Sequence, residues 1–166
     1  IDWKLLTPDN DYELTGQIAG SQTGVGRGWG SDLEIAKQSG RWQGEFSLKA
    51  YSPDFSINEM GFLARPDLIE PRFEIDYANR DPGELFRYSN YWLSHWRRWN
   101  FDDVNLEEAV EIGTWHQLLN YWGFGAGFTH RFRASDDRDT RGGPLITTPA
   151  SDSYWASVGS DGRLRT

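Results

Sequence analysis

Apolar residues fall on alternate positions over much of the chain, and small or polar residues lie between them. Successive side chains of a β-strand point to opposite faces, so each such segment has one apolar face and one polar face. This alternation predicts an all-β, antiparallel chain with strands at seven places: 11–21, 41–51, 71–79, 85–98, 105–117, 121–133 and 152–160.

Two of these segments also fit a helical pattern. Tyr88 and Trp92 are four residues apart, a spacing that would place them on one face of a helix. Asn105 and Glu108 have the spacing of a helix N-terminal capping box. A spacing of four keeps strand parity equally well, and aromatic residues favour strands. We therefore predict strands, with helix over 85–117 as the alternative.

The alternating segments have the length of membrane-spanning β-strands. Roughly 10 tilted residues cross a bilayer, provided that the strands close and leave no edge in lipid. The chain of 166 residues has room for about seven or eight such strands in a single domain, 1–166. Its mean hydropathy of −0.69 fits this fold, because only alternate residues of a barrel strand face lipid. The predicted fold is an antiparallel transmembrane β-barrel segment.

Three long connections separate the predicted strands, at 22–40, 52–70 and 134–150, and the first of them is rich in glycine. If the turn at 8–10 is periplasmic, strand counting places 22–40 on the opposite side from the other two. Either a strand is missing from this count or the barrel has long segments on both sides. The Asp-Gly dipeptide at 161–162 has the signature of a hairpin turn, so we expect the chain to be part of a larger barrel.

Composition and motifs exclude several functions. The net charge of −8 disfavours binding to nucleic acid. Without cysteine the chain has no disulfide, thiolate metal site or cysteine nucleophile. The three histidines are too scattered for a zinc motif, and the carboxylate clusters at 107–111 and 136–139 have no identified partner at a glycosidase spacing. We therefore predict no catalytic, cofactor or metal-ligating residue and no enzymatic activity.

Aromatic residues near the predicted strand ends suggest girdles at the level of lipid headgroups. The residues assigned to these girdles are Trp42, Trp92, Trp96, Trp99, Trp115, Tyr121, Trp122, Tyr154 and Trp155. The alternative is a soluble all-β carbohydrate-binding domain, in which such rings stack on sugars and the apolar faces are buried between two sheets.

Arginines and carboxylates share the faces that we assign to the barrel interior. We expect an ion-pair ladder there, and the alternative is a charged filter for an anionic solute. The arginines are Arg72, Arg87, Arg131 and Arg133, and the carboxylates are Glu45, Glu74, Asp76 and Glu111.

Two segments carry a family resemblance that extends over essentially the whole chain. The sequence at 52–67, SPDFSINEMGFLARPD, and the sequence TRGGPL at 140–145 resemble an outer-membrane barrel domain of unknown function. That domain lies C-terminal to a family-9-like carbohydrate-binding module in large bacterial proteins. Two departures from the family pattern are Glu59, where the family has Asp, and Pro66 after the arginine.

The resemblance implies a barrel wall in the outer membrane of a Gram-negative-type bacterium, and it supplies no activity. The implied partners are outer-membrane lipid, other membrane proteins or the upstream carbohydrate-binding module. The implied motif positions, expected to be structural, are Pro53, Asp54, Phe55, Gly61, Phe62, Leu63, Arg65, Asp67, Arg141, Gly142, Gly143 and Pro144.

Overall fold

The computed structural model describes residues 1–24, 26–57, 61–140 and 142–160. Within these ranges the secondary structure is entirely β, and no helix is long and apolar enough to cross a membrane. The strands are β1 (Asp2–Leu6), β2 (Tyr12–Gln22), β3 (Arg27–Lys37), β4 (Trp42–Tyr51), β5 (Leu68–Asn79), β6 (Phe86–Trp99), β7 (Asn105–Leu118), β8 (Gly123–Arg131), β9 (Ala134–Asp136), β10 (Ile146–Thr148) and β11 (Ser151–Gly159).

Nine of these strands form one antiparallel sheet in the order β1-β2-β3-β4-β5-β6-β7-β8-β11. Each strand pairs with its neighbour along the chain, apart from the insertion of a separate pair, β9 and β10, before β11. The predicted all-β antiparallel fold is confirmed, as is strand rather than helix over most of 85–117. The two edge strands, β1 and β11, do not pair with each other, so the sheet is not closed into a barrel.

The prediction of a glycine-rich loop over 22–40 is wrong, because the sheet includes β3 there. This strand was not predicted because Gly28 and Gly30 lower the strand propensity of the segment. Both glycines are required by close packing, since a Cβ atom at either position would overlap Phe55. The connection predicted at 134–150 likewise contains β9 and β10, and the hairpin predicted at 161–162 lies outside the described residues.

The connections differ sharply in length between the two ends of the sheet. At one end, called the turn end, the connections 7–11, 38–41, 80–85 and 119–122 have four to six residues each. At the other end, called the loop end, two short connections accompany the two long ones, 52–67 and 132–150. Strand counting from the sequence left two alternatives, a missed strand or long connections on both sides. The first is correct, because β3 was missed, and counting it places both long connections at the loop end.

Strand register sorts the side chains into two unlike faces. The apolar face carries Leu14, Ile35, Phe46, Phe73, Leu93, Ile112 and Phe128, which lie on seven successive strands. The polar face carries Glu13, Glu34, Glu45, Glu74, Ser94, Glu111 and Thr129. Directly opposed residues of an antiparallel pair share a face, so register and alternation together fix this division.

A row of two tryptophans and two glycines crosses the polar face. Trp92, Gly113, Gly127 and Trp155 are directly opposed on β6, β7, β8 and β11. The two indole rings lean over the glycines and stack, with centroids 5.9 Å apart and planes 12° apart. A Cβ atom at either glycine would overlap the ring beside it. The row therefore depends on glycine at both central positions.

We expect Gly113→Val to reduce the free energy of unfolding by about 1–3 kcal/mol, because the added side chain collides with the Trp92 ring. The matched control is Gly159→Val, at a strand position with no atom within 4 Å of the added carbon. Thermal unfolding followed by near-ultraviolet circular dichroism measures both variants. Equal unfolding temperatures for the two variants would contradict the packing role.

Candidate functional site

The apolar face is uncovered in the part of the chain that the structure describes. The exposed fractions of Ile18, Phe46, Ile112 and Phe124 are 51, 39, 55 and 37 %, respectively. No second sheet packs on this face among the described residues, because the contacts of the nine strands are with their sheet neighbours and the short β9. A contiguous apolar surface on this scale marks an interaction surface.

The apolar positions form a band that crosses the strands obliquely. On β3, the residue of the apolar face nearest to the turn end is Lys37, and the band begins with the next one, Ile35. On β8, the band extends from Phe124, near the turn end, to Phe128. Ile35 is in register with His130, the polar residue just beyond the band on β8. From β3 to β8 the band therefore moves toward the turn end.

Polar and aromatic groups border the band at both ends. At the turn end the Lys37 ammonium lies 5.6 Å from the centre of the Tyr12 ring. At the loop end His130 Nδ1 lies 2.7 Å from a carboxylate oxygen of Asp152. Charged and amphipathic side chains thus occur where the apolar surface stops.

The residues predicted to form a lipid-facing girdle lie on both faces of the sheet. Trp42, Tyr77 and Tyr91 lie in one row of the apolar face near the turn end, with successive ring centroids 4.9 and 6.4 Å apart. Register places four of the predicted girdle residues on the polar face instead: Trp92, Trp96, Trp115 and Trp155. Their assignment to a lipid-facing girdle is wrong, because alternate positions of one strand face opposite ways.

The polar face carries ion pairs between neighbouring strands, but few of the predicted ones. Arg72 donates at 2.8 Å to Glu74, two residues along the same strand β5, so this predicted pair does not join two strands. Arg98 on β6 donates to Glu70 and to Glu107, which lie on the strands at either side. Of the other predicted arginines, Arg131 lies on the polar face, as predicted, and donates to the Ser153 hydroxyl rather than to a carboxylate. Arg87 donates to the Tyr121 hydroxyl, and Arg133 lies between β8 and β9.

The long connection 52–67 folds onto the polar face near the loop end. Phe55 is only 5 % exposed, lies against Gly28 and Gly30, and stacks on Tyr51 with ring centroids 5.7 Å apart. The Ser56 amide donates to the hydroxyl oxygen of Ser21 at 3.0 Å, which ties the connection to β2. A segment with no strand partner is in this way held against three strands of the sheet.

Arg65 and Asp137 join the two long connections at the loop end. The Arg65 guanidinium donates two hydrogen bonds to the Asp137 carboxylate, at 2.9 and 2.5 Å. Both side chains are largely covered, with exposed fractions of 20 and 15 %. The Asn100 amide donates to the same carboxylate at 3.2 Å, and Arg138 donates to the Pro66 carbonyl at 3.1 Å. We call these five residues the loop-end junction.

Electrostatics favour the charged form of this pair. The hydrogen bonds from Arg65 hold the pKa of Asp137 below its ordinary value, and burial opposes them. A bidentate arginine–carboxylate pair is among the strongest hydrogen-bonded arrangements in proteins. Because Arg65 and Asp137 are 72 residues apart in the sequence, the pair could not be predicted from local sequence patterns.

The motif residues identified from sequence are brought partly together. Asp67 accepts a hydrogen bond from the Phe101 amide at 2.9 Å, which ties the first motif to the connection between β6 and β7. In the second motif, Gly142 has φ = +96°, and Gly143 donates to the Thr140 carbonyl at 3.2 Å. Residues of the first motif besides Arg65 and Asp67 lie in the 52–67 connection: Pro53, Asp54, Phe55, Gly61, Phe62 and Leu63. Pro144 accepts from Thr140, and Arg141 is outside the described residues.

The described residues hold no group of three or more histidine or acidic side chains that could bind a metal ion. The loop-end junction holds the connections in place, because its polar groups are used on one another. The parts of the candidate site are a half-exposed apolar face, a polar face with cross-strand ion pairs, and a connection fixed on that polar face.

We expect Arg65→Ala to reduce the free energy of unfolding at pH 7 by about 1.5–3 kcal/mol, because Asp137 loses a charge-assisted pair. The lowered pKa of Asp137 sets the pH dependence: the pair stabilises above the unfolded-state pKa, near 3.9, and its contribution is lost as pH falls through the lower folded-state pKa. The wild-type advantage over Arg65→Ala should therefore shrink below about pH 4 in thermal unfolding.

The control for this prediction is Arg80→Ala, which removes an exposed arginine from the turn end. That variant should unfold at the wild-type temperature over the whole pH range. A wild-type advantage over Arg65→Ala that stays constant down to pH 2 would show that the ion pair is not its source.

Comparison with protein families gives one match: a family described as "Domain of unknown function (DUF5916)" matches residues 1–165. Neither the curated proteins nor the solved structures contain a match to the chain. The match agrees with the resemblance to a domain of unknown function, whereas the outer-membrane location and the neighbouring carbohydrate-binding module stay predictions. Because the matched range covers almost every residue, the chain belongs to the DUF5916 family.

Proposed function

We propose that this chain is a wall segment of a bacterial outer-membrane β-barrel, with its apolar face against lipid and its polar face lining a hydrated interior. The role is transport, anchoring or assembly rather than catalysis. The turn end faces the periplasm and the loop end faces the outside, as is usual for such barrels. Further strands continue the sheet beside β1 and β11, because an open edge in lipid leaves backbone groups unsatisfied.

The oblique course of the apolar band carries this proposal. Between β3 and β8 the start of the band moves by the six residues from His130 to Phe124, across five strand spacings. With the usual rise per residue and the usual spacing between strands, the six residues correspond to ~20 Å along the strands and the five spacings to ~24 Å across them. A band lying parallel to a membrane would therefore require strands tilted by about 40°, the tilt of strands in barrels.

The distribution of connections supports the same orientation. The four connections at the turn end have four to six residues, and both long connections lie at the loop end. Outer-membrane barrels have short periplasmic turns and longer external loops. This difference in length between the two ends was not predicted from the sequence, because β3 was not predicted.

The alternative is a soluble carbohydrate-binding domain. It requires a second layer against the apolar face, and the described residues supply none. Cysteine labelling distinguishes the two functions.

Cysteine labelling tests which face contacts lipid, and the chain has no cysteine of its own. We expect a polarity-sensitive fluorophore at Phe46→Cys or Ile112→Cys, in the full-length protein in vesicles, to report an apolar surrounding and to be quenched by a lipid-soluble quencher. The matched control, Ser47→Cys, is one residue from Phe46 and on the polar face, so it should respond to a water-soluble quencher. Equal aqueous quenching at Phe46→Cys and Ser47→Cys, or a monodisperse protein that needs no detergent, would refute the membrane wall.

A charge placed in the middle of the band tests whether the apolar face contacts lipid or water. In a bilayer, Ile112→Arg should cost about 2–4 kcal/mol of folding free energy, whereas His130→Arg at the border should cost about 0–1 kcal/mol. Folding into vesicles under urea titration measures both. If Ile112, which is 55 % exposed, faced water instead, its replacement by arginine would leave stability nearly unchanged.

A further inference from the structure

We propose that the apolar face binds one phospholipid with a phosphoethanolamine headgroup at a fixed site, with an acyl chain in a depression at Gly44 and the headgroup on Lys37 and Asp11. This inference rests on the proposed function, because it takes the apolar face as the lipid-facing side of a barrel wall. It adds the class of lipid, the residues that bind it and the leaflet in which it lies.

The depression exists because Gly44 has no side chain and no neighbouring ring covers it. A Cβ atom at Gly16 or Gly113 would overlap a tryptophan ring, so a neighbouring side chain occupies the space at those glycines. Around the same position at Gly44, only backbone atoms of Glu74 and Ile75 lie within 4 Å. A molecule outside the chain can therefore fill the space here.

The depression is apolar over most of its surface. Its volume is about 320 Å³. Glu45 and Glu74 border it, but register places their side chains on the polar face. A hydrocarbon chain matches such a surface, because contact removes apolar area from water on both sides. The walls on the apolar face are Tyr12, Ile35, Trp42, Phe46, Phe73 and Ile75.

A basic residue, Lys37, lies at the turn-end border of the depression. It is directly opposed to Gly44 across β3 and β4. The Lys37 ammonium lies 5.6 Å from the centre of the Tyr12 ring and donates to the Ser39 carbonyl at 2.6 Å. An ammonium has three N–H donors, and this side chain is 32 % exposed, so it can also donate to a phosphate oxygen.

A carboxylate beside this ammonium distinguishes between headgroups. The Asp11 carboxylate is 4.0 Å from the Lys37 ammonium, so the two charges attract each other without a hydrogen bond. Phosphoethanolamine carries a negative phosphate and a positive ammonium, and it can therefore face both charges at once. Phosphoglycerol has only the negative charge and leaves the carboxylate without a matching cation. Charge complementarity favours phosphatidylethanolamine over phosphatidylglycerol.

The position of the site agrees with the leaflet in which such lipids occur. Lys37 and Trp42 lie near the turn end, which the proposed function places at the periplasm. The periplasmic leaflet of a bacterial outer membrane consists of phospholipids, and tryptophan is favoured at the level of their headgroups. An acyl chain that extends from Lys37 past Gly44 toward Phe46 runs from that level into the hydrocarbon region.

Native mass spectrometry of the full-length protein in detergent micelles tests the site by counting bound lipids. The probes are phosphatidylethanolamine and phosphatidylglycerol with identical acyl chains, added singly and in competition. Glycerophosphoethanolamine, which has the headgroup and no acyl chains, distinguishes a lipid site from a site for a free phosphate ester. We expect one phosphatidylethanolamine to bind in preference to phosphatidylglycerol, and we expect glycerophosphoethanolamine not to displace it.

Three variants change the parts of the site separately. Lys37→Gln should lower the affinity for phosphatidylethanolamine about tenfold, whereas Lys37→Arg should retain most of it. Asp11→Asn should remove the preference for phosphatidylethanolamine over phosphatidylglycerol. Gly44→Leu should fill the depression and weaken the binding of both lipids. Because a Cβ atom at Gly44 lies 3.1 Å from the Glu74 carbonyl oxygen, Lys37→Gln carries the test if Gly44→Leu does not fold.

Two control variants match these changes elsewhere. Arg80→Gln removes the same charge from another connection at the turn end. Ala126→Leu adds the same side chain in a second depression of the apolar face, which Ile112 and Phe128 border and whose lining has no charged residue. Both control variants should bind phosphatidylethanolamine as the wild type does.

The outcomes separate this inference from the proposed function. If Lys37→Gln and Asp11→Asn bind both lipids as the wild type does, the lipid site is refuted, and the wall stands as long as the lipid-soluble quencher reaches Phe46→Cys. The site is also refuted if Ala126→Leu weakens binding as much as Gly44→Leu, or if glycerophosphoethanolamine displaces the lipid. If a water-soluble quencher reaches Phe46→Cys as readily as Ser47→Cys, the apolar face is not in lipid, and the proposed function falls with the site.

Discussion

A single-layered sheet exposes both of its faces, and in this protein one of those faces is apolar. The apolar face carries large side chains that remain 37 to 55 % exposed, so its stabilising contact has to come from surroundings other than the described chain. In the proposed function this contact is lipid, and the proposal is supported by the oblique course of the apolar band, whose angle is about the tilt that strands have in barrels.

The polar face is built by pairing bulky side chains with glycine. Trp92 and Trp155 lean over Gly113 and Gly127, and Phe55 lies over Gly28 and Gly30. Large rings can occupy a face lined by charged groups because the neighbouring positions have no side chain. The same device lets the 52–67 connection approach the strand backbone closely enough to be fixed there. Glycine in these strands is therefore a packing requirement rather than a sign of flexibility.

The strand pattern was predictable where alternation is strong, and the ambiguous stretch around Trp92 resolved as strand. The strand β3 was missed because its glycines resemble a loop, although Trp29, Leu33 and Ile35 lie at alternate positions along it. The roles of the aromatic and arginine residues were predicted less well. Trp92 and Trp155 belong to the polar face, and Arg65 rather than Arg131 or Arg133 makes the two-hydrogen-bond pair.

The sequence alone determined the β character of the chain and which residues of one strand share a face, because side-chain parity is a local property of an extended backbone. Only the tertiary structure decided the register between strands, since register depends on pairing between distant segments. Register in turn made the apolar band oblique, and the presence of β3 placed both long connections at one end. The tertiary structure also brought Arg65 to Asp137 across 72 residues of sequence, a contact that no local pattern encodes.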